Sequence, residues 1–436
     1  MRIGFVIQRY GTEVLGGAEY LCRLVAERLA PRHHVEVLTT CARDYHTWKN
    51  EYPEGADRLR GVTVRRFATA RMRDIDEFNR YSEWIFANPH SRQDELEWLK
   101  QQGPWSPALS EHLQRQHGSF DVLVFFTYLY APTVLGLKTD PARSVLVPTA
   151  HDEPAIRLEI FKEVFSLPAG IIYLSDAERR FVRANFHLRA LAEEVVGIGV
   201  DIPRSSGDAG GAPSTAPGED MVEVEVAEDP EGDVVFNEDS PTFRAHLARK
   251  GETFRRRHRL HGPFALYGGR IDPGKGCEEL IEYFSSYAKA GGEGTLVLMG
   301  VKMMPIPDEP FIRFAGQLPD QERSHAVEAA TVVVVPSPFE SLSIIALEAF
   351  AAGTPVLASG RSEVLVDHCR QSNAGLYYGD RDEFVECLKL LMTDERLRLA
   401  MERNGREYVR RNYSWELVLQ KYERIFSKVR AAGARK

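Results

Sequence analysis

Twice along its 436 residues the chain runs from a short apolar segment through a glycine-bearing loop into a stretch of helical spacing, and then into another apolar segment. The first copy is IGFVI (3–7), a loop with Gly11, Gly16 and Gly17, AEYLCRLVAERLA and VEVLTT; the second is PFALYGGR (263–270), CEELIEYFSSYAKA and TLVLMG. Further apolar runs follow each copy: DVLVFFTYL, SVLVPTA and AGIIYLS in the first half, FIRFAG, TVVVVPS and PVLAS in the second. Their near-continuous hydrophobicity, in place of alternation, requires strands buried on both faces, as in a parallel sheet covered by helices. The predicted fold class is α/β, with two Rossmann-like doubly wound units in succession. From Asp380 onward the chain reads as helical, with Asn404-Gly405 and Asn412 as interruptions.

The charge balance is uneven. Lys and Arg number 55 against 63 Asp and Glu, a formal net charge of -8. Residues 205–243, between the two units, hold eleven acidic residues and no Lys or Arg, so -8 minus -11 leaves +3 for the remainder. Their Gly/Pro/Ser-rich stretch reads as a solvated insertion, with a surface β-hairpin of VEVEV, the turn DPEG and VVF as the alternative. General nucleic-acid binding is not expected. Arg58, Arg60, Arg65, Arg66, Arg71 and Arg73 form the opposite bias, a candidate contact for anionic lipid or a phosphate-bearing acceptor set against a solvated surface. The five cysteines are widely spaced, without zinc-site spacing, and read as buried thiols. No window approaches the ~20 apolar residues of a spanning helix, and the short N-terminal run does not read as a signal peptide. The expected location is cytoplasmic.

The stretch PSPFESLSIIALEAFAAGTPVLAS (336–359) carries the most chemistry. It predicts a helix from about Leu342, capped by Ser341, whose first N–H groups near Ser343 and Ile344 suit a phosphate. Glu340 and Glu348, eight residues apart, would lie roughly 12 Å apart along a helical axis and accept hydrogen bonds from hydroxyls on either side of that phosphate. A nucleotide sugar is such a ligand. In YGGRIDPGKGCEEL (267–280), Arg270 and Lys275 stand on a loop where two cations would hold a diphosphate, and Gly269 and its neighbouring glycines allow close backbone approach. The same loop reads G-x-x-x-x-G-K-G, a nucleotidase phosphate loop except that Gly276 lacks the hydroxyl that holds magnesium. Gly16 and Gly17 permit close approach at a helix start. His151 follows SVLVPTA at the strand end where open α/β sheets bind ligands, placed to donate to a sugar hydroxyl. Asp74-Ile75-Asp76 is an Asp-x-Asp in the arginine-rich stretch, away from a strand end, and no metal motif is evident.

Together the Glu-x7-Glu element with EAFAAGTPV, the GGRIDPGKG loop, the N-terminal Gly-Gly and the mid-chain His-Asp resemble glycosyltransferase family 4, retaining enzymes of the GT-B fold. GIGVDIP (197–203) looks like the family's passage between domains, and YSWELVLQKYERIF like its closing helix. The resemblance implies two Rossmann-like domains facing across a cleft. It assigns residues 1–203 to an acceptor domain, 204–243 to the acidic linker, 244–415 to the nucleotide-sugar domain, and 416–436 to a helix packing back on the first domain. It implies that Arg270 and Lys275 bind the donor diphosphate, Glu348 the ribose, Glu340 the transferred sugar helped by N–H groups near Ser343, and His151 that sugar near its reacting carbon. Gly17 would lie by the phosphates, and backbone near Gln317 and Leu318 by the base. No metal or other cofactor is expected. Ser343 stands where many members have glycine, the acidic insertion falls outside the family pattern, and the stretch 74–118 is the candidate for acceptor selection.

The function so implied is transfer of a sugar from a UDP- or GDP-sugar to an acceptor hydroxyl, on a saccharide, a lipid-linked group or a small molecule, with retention of configuration, in polysaccharide, glycolipid or other glycoconjugate biosynthesis. The expected partners are the nucleotide-sugar donor and that acceptor, with peripheral contact at the inner membrane face and a monomer or homodimer state left open. The alternatives are a GT-B epimerase or phosphorylase, a non-catalytic sugar-nucleotide-binding protein, and a magnesium-dependent nucleotidase.

Overall fold

The computed structural model describes residues 1–14, 16–201, 227–228, 234–235 and 251–433. The chain divides into two compact units, Met1–Gly199 with Trp415–Lys436, and Val200–Ser414. Of the acidic segment, Ala227–Glu228 and Val234–Val235 pair antiparallel; VEVEV lies outside the described residues.

The first unit is an eight-stranded sheet. Its strands lie in the order Gly55–Leu59, Val62–Phe67, His34–Thr40, Arg2–Val6, Val122–Phe126, Ser144–Val147, Gly170–Tyr173 and Ala192–Val195. Gly55–Leu59 is an antiparallel edge and the other strands run parallel. Apart from that edge, the chain builds outward on one side, returns to the first strand, and builds outward on the other. The direction of winding therefore switches between Arg2–Val6 and Val122–Phe126. Val122–Phe126 and Ser144–Val147 are wholly buried, which accounts for their unbroken apolar sequence. Val62–Phe67 escaped the sequence reading because its charge pattern obscures it: Val62 and Val64 are buried, while Arg65 lies at the rim and pairs with Glu36 at 2.8 Å.

The second unit has six parallel strands in the order Ile312–Gly316, Thr295–Met299, Phe264–Gly268, Val332–Val335, Val356–Ser359 and Gly375–Tyr378. This is the doubly wound order 3-2-1-4-5-6, with its switch point between Phe264–Gly268 and Val332–Val335.

Three helices close the chain: Arg381–Thr393, Glu395–Asn412 and Trp415–Gly433. The last belongs to the first unit and buries Tyr422, Ile425, Phe426 and Val429 there. The predicted interruption at Asn404-Gly405 does not occur, since Glu395–Asn412 runs through it. A Cβ at Gly405 would stand 3.2 Å from the backbone of Phe350, so the glycine serves close helix packing rather than a break. Asp74 caps the helix Ile75–Ala87 by accepting from the N–H groups of Asp76 and Glu77, which gives the Asp-x-Asp a structural role. Among the described residues no helix is long and apolar enough to cross a membrane.

Candidate functional site

In the second unit, chemistry gathers behind the two strands at the switch point. Phe264–Gly268 leads into Gly269 and Arg270, then a turn over Pro273–Lys275. Asp272 shapes that turn: its Oδ1 accepts the Lys275 N–H at 3.0 Å, and its Oδ2 stands 3.3 Å from Arg270 Nε. Gly276 has φ 74° and starts the helix Cys277–Lys289, and a Cβ there would meet the Pro336 carbonyl oxygen at 2.6 Å. Only glycine fits, and the close approach brings the turn against the residues that follow Val332–Val335. Lys275 Nζ accordingly reaches Glu340 Oε1 at 2.8 Å and Ser337 Oγ at 3.5 Å. The structure thus brings Lys275 and Glu340 together, with the Arg270–Asp272 pair beside them on the same turn. The Arg270 side chain remains about half exposed.

The helix after Glu340 begins later than predicted. It spans Ile344–Ala352, and its N-cap is Ser343, not Ser341. Ser343 has φ 63° and ψ 77°, the left-handed region, and its buried hydroxyl has no hydrogen-bond partner among the described residues. A serine side chain is disfavoured there, which is the physical reason that glycine suits this position. Glu340 therefore lies off the helix, and the ~12 Å axial separation from Glu348 does not apply. Glu348, on the helix, contacts Arg323 of the helix Asp320–Ala329. Helix geometry leaves the N–H groups of Ile344 and Ile345 without an intrahelical acceptor. Leu342 is held from behind: His368 Nε2 lies 2.8 Å from its carbonyl oxygen, and His368 Nδ1 lies 2.9 Å from Tyr408 Oη. Burial pushes the His368 pKa down, which favours the neutral ring that donates through Nε2 and accepts from the phenol. Gln317 is exposed and Leu318 half-buried, both just past the edge strand Ile312–Gly316.

In the first unit the switch-point strand Arg2–Val6 leads to Arg9, buried and paired with Glu19 at 2.6 Å. Gly16 has φ 155°, and a Cβ there would meet Glu19 Oε2 at 2.1 Å, so Gly16 makes room for that carboxylate. Gly17 opens the helix Gly17–Leu29, and among the described residues nothing lies within 4 Å of a Cβ built on it. His151 follows Ser144–Val147; its Nε2 stands 3.6 Å from Glu153 Oε2, and the Tyr128 hydroxyl donates to Glu153 Oε1. Burial, reinforced by Glu153, pushes the Tyr128 phenol well above its usual range. Two β-branched residues at these strand ends, Thr127 (φ 60°) and Thr149 (φ 53°), sit in the left-handed region.

The sequence reading missed Arg9, Tyr128, Glu153, Asp272 and Arg323. Asp272 was detectable, because Asp-Pro-Gly is a turn signature; the others act across elements and leave no local pattern. The arginine-rich stretch is not one surface stripe, since Arg66 and Arg73 are 4% and 6% exposed. Arg73 is held by the carbonyls of Tyr45, His46 and Gln102. All five cysteines are free, and four of them are buried. Among the described residues no group of three or more His, Cys, Asp or Glu could hold a metal ion.

Residues 250–408 match the family model described as Glycosyl transferases group 1. Among curated proteins, the chain is similar to phosphatidyl-myo-inositol mannosyltransferase of Mycobacterium leprae, 29% identical over 184 residues, 40% of this chain and 49% of that protein. It is also similar to D-inositol 3-phosphate glycosyltransferase of Corynebacterium efficiens, 26% identical over 190 residues, 40% of this chain and 44% of that protein. The chain spans less than half the length of these relatives. Among solved structures, sucrose-phosphate synthase of Thermosynechococcus elongatus aligns over 99% of both chains, with TM-score 0.66 and 17% identity. Anabaena HepE in complex with UDP-glucose aligns over 98% of this chain and 99% of its own, with TM-score 0.63 and 17% identity. These two likenesses bear on the fold.

Proposed function

We propose that the chain, whose residues 250–408 match the group 1 glycosyl transferases and whose fold is of the GT-B kind, is a retaining glycosyltransferase using a nucleotide diphosphate sugar. The observation that carries this reading is the convergence of Arg270, Lys275 and Glu340 behind the two strands at the switch point. Two cations there suit the donor diphosphate, and a carboxylate within ion-pair reach of one of them suits a sugar hydroxyl. As the glycosidic bond breaks, negative charge grows on the leaving diphosphate. Arg270, Lys275 and the helix start at Ile344 stabilise it. The departing phosphate takes the acceptor proton in a front-face attack. Glu348, steadied by Arg323, binds ribose hydroxyls, and backbone near Gln317 and Leu318 meets the base. His151 and Gly17 keep the roles that the resemblance implies, and Gly16 makes room for the Glu19 carboxylate that pairs with Arg9.

UDP and UDP-glucose occur in complexes of the structurally similar HepE, and relatives bear names that specify inositol and phosphatidylinositol acceptors. We carry over to this chain a hydroxyl-bearing acceptor of that polar class, selected by the helices Ile75–Ala87, Arg92–Gln102 and Pro107–Gln116. Arg58, Arg60 and Arg71 are the exposed arginines for a phosphate-bearing acceptor or an anionic surface.

Arg270→Ala and Lys275→Ala should each lower kcat/KM by 30-fold or more, ~2 kcal/mol of transition-state stabilisation. A loss under twofold for either would refute its role on the diphosphate. Activity should persist in chelator; complete loss restored by magnesium would favour the nucleotidase reading. A thermal-shift screen of UDP-, GDP- and ADP-sugars identifies the donor, since a ligand at 100 times its Kd adds ~2.7 kcal/mol.

A further inference from the structure

Ser175-Asp176-Ala177-Glu178 carries the sequence of a capping box at the start of the helix Asp176–Asn185. Half of the box forms: Ser175 Oγ accepts the Glu178 N–H at 3.1 Å. In the usual box the glutamate turns back to the N–H of the capping serine. Glu178 instead places Oε2 2.6 Å from the Leu174 nitrogen and Oε1 2.5 Å from the Ala150 nitrogen. Those two amides lie just past the C-terminal ends of Gly170–Tyr173 and Ser144–Val147, which pair in the sheet. Glu178 is 2% exposed, and among the described residues no cation stands within ion-pair distance of it.

We infer that Glu178 is a positioning residue for His151, its ionised carboxylate clamping the Thr149–Ala150 turn on which His151 stands. The inference rests on the reading of His151 as a contact of the transferred sugar. Both carboxylate oxygens receive N–H donors, and the ionised form accepts strongly at both, whereas a protonated carboxyl keeps one strong acceptor and one weak one. The turn it holds is strained: Thr149 is β-branched with φ 53°, a conformation that persists only where the surroundings enforce it. A helix start alone needs no buried charge, because the return bond to Ser175 would complete the box. The groups that face Glu178 from neighbouring elements are Tyr173, on the adjoining strand, and Tyr422, on the helix Trp415–Gly433. Burial holds both phenols well above their usual range, so neither carries charge near neutrality.

Burial also raises the Glu178 carboxyl, to about 8, against the lowering by its two amide bonds. Protonation would turn one acceptor into a donor facing an N–H, and the clamp would open. In a 15N-labelled sample of the wild-type chain, the amide protons of Ala150 and Leu174 should titrate together with a midpoint near 8. In Glu178→Gln that step should vanish, kcat should fall at least tenfold with donor KM within twofold, and the rise of kcat through pH 8 should be absent. The inference is overturned if the two amides do not titrate in the wild type, or if Glu178→Gln keeps kcat within twofold and the wild-type pH profile. The amide titration needs no variant and no turnover. Failure of the wild type to transfer sugar from any donor would refute the transferase reading instead.

Discussion

At the scale of single residues, Ser343 and His368 govern the start of the helix proposed to face the donor phosphate. Ser343 occupies a left-handed conformation, and its buried hydroxyl has no hydrogen-bond partner among the described residues. Relief of that strain is worth about 1–2 kcal/mol, against about 0.4–1 kcal/mol for the freedom glycine adds to the unfolded chain. Ser343→Gly should therefore raise stability by about 0.5–1 kcal/mol in chemical denaturation; a fall would show that the hydroxyl makes a bond of its own. His368 contributes a pH dependence. Its folded pKa lies below the 6.5 of the unfolded side chain because it is buried, although Asp367 and Glu340 pull upward. Its stabilisation is thus complete above pH 6.5 and is lost as the pH falls toward the folded value, because the unfolded chain takes up the proton first. Unfolding free energy should drop by up to ~1.4 kcal/mol per pH unit from this group, and His368→Gln should flatten that limb of the profile. Equal slopes in the two proteins would refute the assignment. Glu178 acts with the opposite sign: its raised pKa erodes stability as pH climbs from 4.5 to about 8.

At the scale of elements, the sequence was informative wherever burial is two-sided. Val332–Val335 is four consecutive valines, all buried, and no pattern competes with that reading. It was less so where one residue has two uses. Gly405 resembles a helix breaker and is a packing contact; Ser341 resembles a cap, yet the chain takes the cap two residues later at an unfavourable φ. Arg270, Lys275 and Glu340 stood out as candidates because each sits at a fixed offset from a strand end. Their mutual geometry was not, because it depends on Gly276 meeting the Pro336 carbonyl across 60 residues of chain. Likewise Glu153 and Glu178 act on His151 through space and backbone, which no local periodicity encodes. The closing helix gives an element-scale prediction. Phe426 is fully buried on it, and Glu423, one turn earlier, reaches His33 Nε2 at 2.9 Å. Phe426→Ala should destabilise the first unit by about 3–4 kcal/mol through lost burial and a residual cavity. A cost under 1 kcal/mol, read from the denaturation midpoint at constant m-value, would mean that the helix detaches readily.

At the scale of the whole molecule, net charge misleads about the ligand. The value of -8 is produced by residues 205–243, and residues 244–436, with 29 basic and 25 acidic side chains, are the basic part of the chain. An anionic donor is therefore proposed to bind where the local balance favours it, and the acidic segment's charge acts on it through the screened field. Such action is set by ionic strength, since the screening length is about 8 Å at 0.15 M salt and about 30 Å at 0.01 M. Replacing 205–243 with a short neutral linker changes the net charge from -8 to +3. In titration calorimetry the donor Kd should stay within twofold at 0.15 M salt and tighten several-fold at 0.01 M. A tenfold weakening at either salt would show instead that the segment supplies contacts to the donor, and an equal tightening at both would place its carboxylates against the diphosphate.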